Sequence, residues 1–374
     1  MSVINVKSQT ELSGFHILFR GGIQKERKGF FGVQHLCEHI FFKSLEPLLN
    51  DFDRYGISNN AYTSENEVLV YFYGLDENLS NYREEILSKL LSFDVTEEDF
   101  NREKLVVIKE YLKYFNVQEY SHGLNLNRKL FGSFGPIGLK EDLDNLSYDD
   151  FMIYFRDNFS KPHTIINVSK NSEFSTDIEF STESFDDVIH YGQYDVPYEP
   201  YEGRNGISSI IYLSEVILDD FAHVDFICDM LGSGLQSPLY KIIRSEKSLC
   251  YSLSCSLDRM TNKSGLVCIS SETTDENVEV FQKTVEYILS NPDIFMTQER
   301  FDIVKQALEI NIKKSEINRY SNVNKYITPK EWLIEPILKD LTLEKIMEVY
   351  SKYFDFSKYY KSIDVIEFPE SIKE

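Results

Sequence analysis

Several things are missing from this 374-residue sequence, and each absence closes off a class. Its 5 cysteines, Cys37, Cys228, Cys250, Cys255 and Cys268, form no CxxC pair. An odd number of cysteines in a chain this long fits reduced thiols better than a disulfide framework. No apolar run approaches the roughly 18 residues of a membrane span, and the first twenty residues lack the basic-then-apolar pattern of a secretory signal. The expectation is a soluble, cytoplasmic protein with no membrane partner. Positive charge is also scarce: 39 Lys and Arg against 61 Asp and Glu leave a net charge of −22. A surface of that sign repels phosphates, so nucleic acid is excluded as a general partner. Tryptophan occurs once, but 27 Phe and 24 Tyr supply ample core material. The length suffices for two or possibly three domains, each with its own core.

The first half alternates strand-like and helix-like segments. Residues 15–19 read as a strand ending at Gly21 and Gly22, and 33–42 read as a helix. Residues 60–73, rich in β-branched and aromatic side chains, read as one or two strands with a turn near Glu65 and Asn66. Helices follow at 82–91 and, behind a Thr96-Glu97-Glu98-Asp99 capping sequence, from there to Phe115, the second amphipathic with Phe100, Val106, Val107, Leu112 and Tyr114 among its apolar positions. Ser147 caps a helix to Phe159, and 164–168 is a strand. The polar, acidic stretch 171–205, with Pro197 and Pro200, reads as an interdomain linker. A second cycle follows: strand 207–213, helix 221–231, Gly232 and Gly234, helix 238–246, strands 251–257 and 266–271, then helices 277–289 and 297–318. The order roughly repeats that of the first half, which suggests an internal duplication of architecture.

His35-Leu36-Cys37-Glu38-His39 lies on the helix at 33–42. Positions 35, 38 and 39 are i, i+3 and i+4, so their side chains leave one face. Two imidazoles one turn apart can each give a neutral nitrogen to one zinc ion, one per chain. Glu38 between them is badly placed as a third ligand from the same turn but well placed to accept a proton from zinc-activated water, an inverted HExxH arrangement. Three fixed positions also arise by chance, so the motif needs context. The context is the long helix at 97–115, where Glu103 and Glu110, seven residues apart, share one stripe. One could complete the zinc sphere while the other orients it. A helix glutamate is more commonly a solvated surface carboxylate, but the shared face favours function, more so for Glu110. His16 and His223 read as structural or surface residues, and Cys37 as a small core residue.

The stretches GVQHLCEHIFFKS, NNAYTSENEVLVYF and FNREKLVVIKEY resemble the N-terminal half of the M16 metallopeptidases (pitrilysin, insulysin and mitochondrial processing peptidase). The resemblance implies zinc ligation by His35, His39 and Glu110, Glu38 as general base, and a supporting catalytic role for Glu103. The stretch from Phe131 to Phe159 is similar to that family's connector. Further on, LGSGLQSPLYKIIRSEKSLCYSLS is similar to the family's C-terminal segment, which implies that Arg244 and Tyr251 approach substrate. Physically, an Arg can hold a peptide carbonyl and a Tyr hydroxyl can donate to an oxyanion. Asn60 and Ala61 match an edge strand to which substrate adds as a further strand. Ser44 and Ser248 stand where the family has glycine.

The fold implied is α+β: two similar domains, 1–180 bearing zinc and 181–374 contributing substrate-binding residues. Each is a mainly antiparallel mixed sheet covered by helices, of the LuxS/mitochondrial-processing-peptidase-like metallohydrolase type. The activity implied is zinc-dependent endopeptidase cleavage of peptides or unstructured segments. A homodimer or a heterodimer with a related subunit is expected. The alternative is a catalytically silent structural or processing-partner subunit of the same fold.

Overall fold

The computed structural model describes residues 3–131, 134–183, 207–217, 220–261, 263–317, 323–328 and 330–365. They form two compact units: one of Met1–Tyr114, Leu130–Tyr194 and Ser315–Ile327, the other of Phe115–Lys129, Asp195–Lys314 and Thr328–Glu374. The fold class is the α+β arrangement expected, with a mostly antiparallel sheet in each unit.

The first unit is built on β1 (Val3–Lys7), β2 (Leu12–Arg20), β3 (Ser58–Thr63), β4 (Glu67–Leu75) and β5 (Thr164–Ser169), in the order β1-β5-β2-β4-β3. All neighbours pair antiparallel except β1 with β5. Strand alternation assigns the two faces of this sheet. Phe15, Ile17, Phe19, Val68, Val70 and Phe72 enter the main core, whereas Leu18, Leu69, Ile166 and Val168 pack with Val323 and Ile327 on the other side. His16 is fully buried, with Nε2 2.8 Å from the Tyr73 hydroxyl, a structural residue as expected.

Against the main face lies α1 (Val33–Ser44). Its Leu36, Cys37, Ile40 and Phe41 are wholly inaccessible. Burial of the three large ones is worth roughly 5–8 kcal/mol gross, an upper figure. That inner face holds the helix down while positions 35, 38 and 39 point away from the core. The further helices of at least 8 residues that lie wholly or almost wholly in this unit are α2 (Arg83–Leu90), α3 (Glu97–Phe115, all but its last residue) and, beyond a helix that sits mainly in the second unit, α5 (Tyr148–Phe159). Thr96 and Ser147 cap α3 and α5 through the backbone N–H groups of Asp99 and Asp150.

The second unit has β6 (Ile207–Ile217), β7 (Cys250–Arg259), β8 (Ser264–Thr274) and β9 (Tyr360–Val365), all antiparallel, in the order β7-β8-β6-β9. Helices α6 (Phe221–Gly232), α7 (Val278–Ser290), α8 (Gln298–Ile317) and α9 (Leu343–Tyr353) supply most of its core. Helix α4 (Gln118–Phe131), which the sequence left unassigned, sits mainly in this unit. Its buried His122 lies 2.9 Å from the Ser209 hydroxyl and 2.7 Å from that of Ser362.

Three expectations change. The linker begins later than 171, because Phe174 is buried with its ring 4.9 Å from Phe15 and its N–H donating to Asn5. Residues 184–205 of that expected linker lie outside the described residues. The helix expected at 238–246 is wound as a π-helix over Tyr240–Glu246, and the Lys247 N–H reaches back five residues to the Ile242 carbonyl. Finally, Val106 and Leu112 of α3, read from the sequence as apolar-face positions, are exposed; Phe100, Val107 and Tyr111 carry that helix's contact with the core.

Candidate metal centre

The outward face of α1 presents His35, Glu38 and His39 together, because the core claims 36, 37, 40 and 41. Across from it, α3 buries Phe100 and Val107, which forces the interleaved Glu103 and Glu110 onto the side facing α1. One Glu110 oxygen lies 3.7 Å from His35 Nε2 and 3.6 Å from His39 Nε2. The donor atoms of these three residues all fall within 4.8 Å of one another. A tetrahedral zinc with bonds near 2.0 Å holds neighbouring ligands about 3.3 Å apart, so this nitrogen–nitrogen–oxygen set fits the ion with little adjustment.

The protonation states agree. Burial, helped by the charge of His39, brings His35 down to about 4. It is therefore neutral near pH 7, as a metal ligand must be, and its approach to Glu110 is not an ion pair at that pH. His39 is oriented by Glu103, whose carboxylate stands 3.3 Å from Nδ1 and leaves Nε2 toward Glu110. A carboxylate behind a ligand imidazole fixes its tautomer and ring angle. His35 has no such support: its Nδ1 is buried without a hydrogen-bond partner.

Glu38 is half-buried on the same face and accepts a 2.6 Å hydrogen bond from the Thr63 hydroxyl at Oε2. Burial pushes its carboxyl up, Thr63 and His39 draw it down, and Glu110 pushes it up again. The net rise suits a group that must take up a proton at neutral pH. Thr63 carries no recognisable motif; only the packing of β3 beside α1 reveals its role.

Asn60 and Ala61 lie on β3, the terminal strand of the first sheet, paired with Tyr71 and Val70. Asn60 turns its side-chain oxygen to the Ala61 N–H at 2.9 Å. Arg244 and Tyr251 belong to the second unit. There the Arg244 guanidinium stands over the rings of Tyr240 (4.7 Å) and Tyr251 (4.8 Å), with Tyr251 83% exposed. The structure thus gathers His35, Glu38, His39, Glu103 and Glu110 within the first unit, and brings Arg244 beside Tyr251 within the second.

Two family models match in sequence order. Residues 2–131 match the insulinase domain of peptidase family M16, and residues 198–308 match the family's second domain, described as the peptidase M16 inactive domain. The chain belongs to the M16 peptidase family. Among its relatives, the uncharacterized zinc protease YmxG of Bacillus subtilis is 25% identical over 77% of this chain and 73% of its own length. The zinc protease PqqE of Helicobacter pylori is 21% identical over 76% and 70%. In fold, a protease from Helicobacter pylori superposes with a TM-score of 0.80 at 17% identity, covering 96% of each chain. The M16 inactive domain from Pseudomonas fluorescens follows at 0.73 and 13%, covering 98% of this chain and 96% of its own. YmxG and PqqE are both named zinc proteases, and two imidazole nitrogens with one carboxylate oxygen are donors of the kind zinc takes.

Proposed function

We propose that this chain is a zinc-dependent endopeptidase acting on peptides or unstructured segments. His35, His39 and Glu110 hold one ion per chain, and Glu38 is the general base. The observation that carries the reading is the convergence of two imidazole nitrogens and a carboxylate within 4.8 Å, with a Thr-anchored carboxylate on the same helical face. Zinc bound there would lower the pKa of water and polarise the scissile carbonyl. Glu38 accepts the water's proton and passes it to the leaving amine; Thr63, holding Oε2, keeps the other carboxylate oxygen free to do so. Glu103 keeps His39 aimed. Asn60 and Ala61 offer the edge of β3 to an extended substrate, and Arg244 and Tyr251 are proposed substrate contacts. A homodimer, or pairing with a related subunit, is part of the same proposal, and so is a cytoplasmic location.

A silent subunit of this fold would have shed a ligand or the base, and here all five residues are present. The test is peptide-library profiling of wild type and Glu38→Gln with zinc content measured in parallel. Glu38→Gln should keep the metal and lose cleavage by about 100- to 10,000-fold. Undiminished cleavage would remove Glu38 from its role, and a wild type unable to take up zinc would sink the site.

A further inference from the structure

His39 is held by Glu103, whereas the buried Nδ1 of His35 has no hydrogen-bond partner. The aim of the His35 ring therefore depends on its backbone and on packing, and His35 is only the third residue of α1. The start of that helix is unusual. Its N-cap is Gly32, in a left-handed conformation at φ 96°, which supplies no side-chain cap. A Cβ at position 32 would meet the Ile137 carbonyl at 3.1 Å and Gly138 at 3.3 Å, so a side chain there has little room. Helix starts leave N–H groups unpaired, and an uncapped buried start is costly.

The pairing comes from elsewhere in the chain. Glu26, 7% exposed, spreads its carboxyl across the helix start, with Oε2 accepting from the Gly32 N–H at 3.0 Å and Oε1 from the Gln34 N–H at 2.9 Å. Asp142 accepts from the Phe31 N–H at 3.1 Å. The Gln34 side chain donates to the Tyr154 hydroxyl at 2.7 Å. Residues 31–34 are thus held from three sides immediately before His35. A buried carboxyl group that accepts a backbone N–H at each oxygen is tied at both ends, a better fixture than a solvated cap.

We propose that Glu26 is a positioning residue for the metal centre: by pinning the first turn of α1 it sets the place and aim of His35, doing for that ligand what Glu103 does for His39. The inference rests on the reading that His35, His39 and Glu110 bind zinc.

Its test compares zinc dissociation constants, by competition with a chromophoric chelator, in the full-length wild type, Glu26→Gln, Glu26→Asp and Asp76→Asn. Asp76 lies in a buried ion pair with Arg83 (3.1 Å), in the same unit but outside the metal centre, so its variant controls for lost stability alone. Glu26→Gln keeps the shape but sets an amide donor against a backbone N–H, and should weaken zinc about tenfold. Glu26→Asp, which keeps a carboxyl group on a shorter arm, should fall between it and wild type. Asp76→Asn should melt lower with zinc affinity unchanged. Zinc affinity in Glu26→Gln within twofold of wild type overturns the proposal, as does an equal loss in Asp76→Asn. If Glu26→Gln does not fold, Asp142→Asn removes a neighbouring cap; weakening of about threefold supports the proposal, and unchanged affinity overturns it. A wild type that takes up no zinc refutes the metal site itself, an outcome distinct from all of these.

Discussion

The two units share one strand order. Reading β3-β4-β2-β5 in the first against β7-β8-β6-β9 in the second, each sheet has the same sequence of neighbours, and β1 is an added edge strand on the first. A helix follows the leading strand in both, yet α1 and α6 differ in one turn. Beyond His35 at i+3 and i+4 stand Glu38 and His39; beyond His223 stand Phe226 and Ile227, both buried. The long helices diverge similarly. Thr96 and Thr297 cap α3 and α8 through the N–H three residues on. Seven and fourteen residues past the cap, α3 has Glu103 and Glu110, whereas α8 has Val304 and Asn311. The scaffold is thus indifferent to the metal: four or five side chains decide which unit can hold an ion. The family model matching residues 198–308 is named an inactive domain, and among the described residues the only such donor set is the one in the first unit.

The sharpest way to break this contrast is at the proposed ligands. Glu110→Gln should weaken zinc at least ~100-fold and Glu103→Gln ~10-fold, because only the first is within reach of both Nε2 atoms. Asn311→Glu should leave the stoichiometry at one zinc per chain; equilibrium dialysis reads all three. A second zinc in Asn311→Glu would erase the distinction between the units.

Acid offers a subtler contrast. Burial brings His16 and His163 in the first unit down to about 4, in His163 with help from Lys25 and Arg20. Below pH 6.5 the unfolded state takes up protons that these folded rings refuse. Stability is therefore lost as pH falls from 6.5 toward 4, by roughly 3 kcal/mol per ring. Glu26 works oppositely: burial pushes it up to about 8, so folding gains as pH falls from 8 toward 4.5. In metal-free protein the first unit should then be most stable near pH 6.5. In the second unit burial lowers His122 and His223 but raises Asp225, to about 6, and Asp258, so the contributions oppose one another. The single tryptophan, Trp332, stacked on Phe221 at 3.8 Å, reports the second unit. Acid titration of metal-free protein should lose circular dichroism before Trp332 fluorescence changes; coincident transitions would show that the units do not differ.

The smallest effect concerns two helix ends. In the first unit the helix Leu49–Tyr55 stops at Gly56, φ 65°, where glycine is at ease. In the second, the π-helix is followed by Ser248 at φ 52°, one of the positions where the family resemblance calls for glycine. Ser248→Gly should stabilise the second unit by about 0.5–1 kcal/mol, the relief of left-handed strain less the added freedom of the unfolded chain. Urea unfolding followed at Trp332 checks it, and a loss of stability would mean that the serine is not strained.

Much of this molecule was legible before any coordinates. His35, Glu38 and His39 are i, i+3 and i+4 on a helix, and Glu103 and Glu110 are seven apart; helical periodicity alone puts each group on one face. The alternation of strands and helices carried the two-part α+β architecture, because side-chain periods of 2 and 3.6 are written into the order of apolar and polar residues. Other features needed the tertiary structure, since they join residues with no local relation. Thr63 meets Glu38 only because β3 packs beside α1, and Glu26 reaches the start of α1 from a turn whose sequence carries no capping pattern. Segments 115–129 and 315–327 each join the unit built mainly from the other half of the chain, which short-range pattern cannot foretell. The sequence determined which groups could hold a metal. Packing decided how they are aimed, because hydrogen bonds between distant residues follow from the fold and not from spacing along the chain.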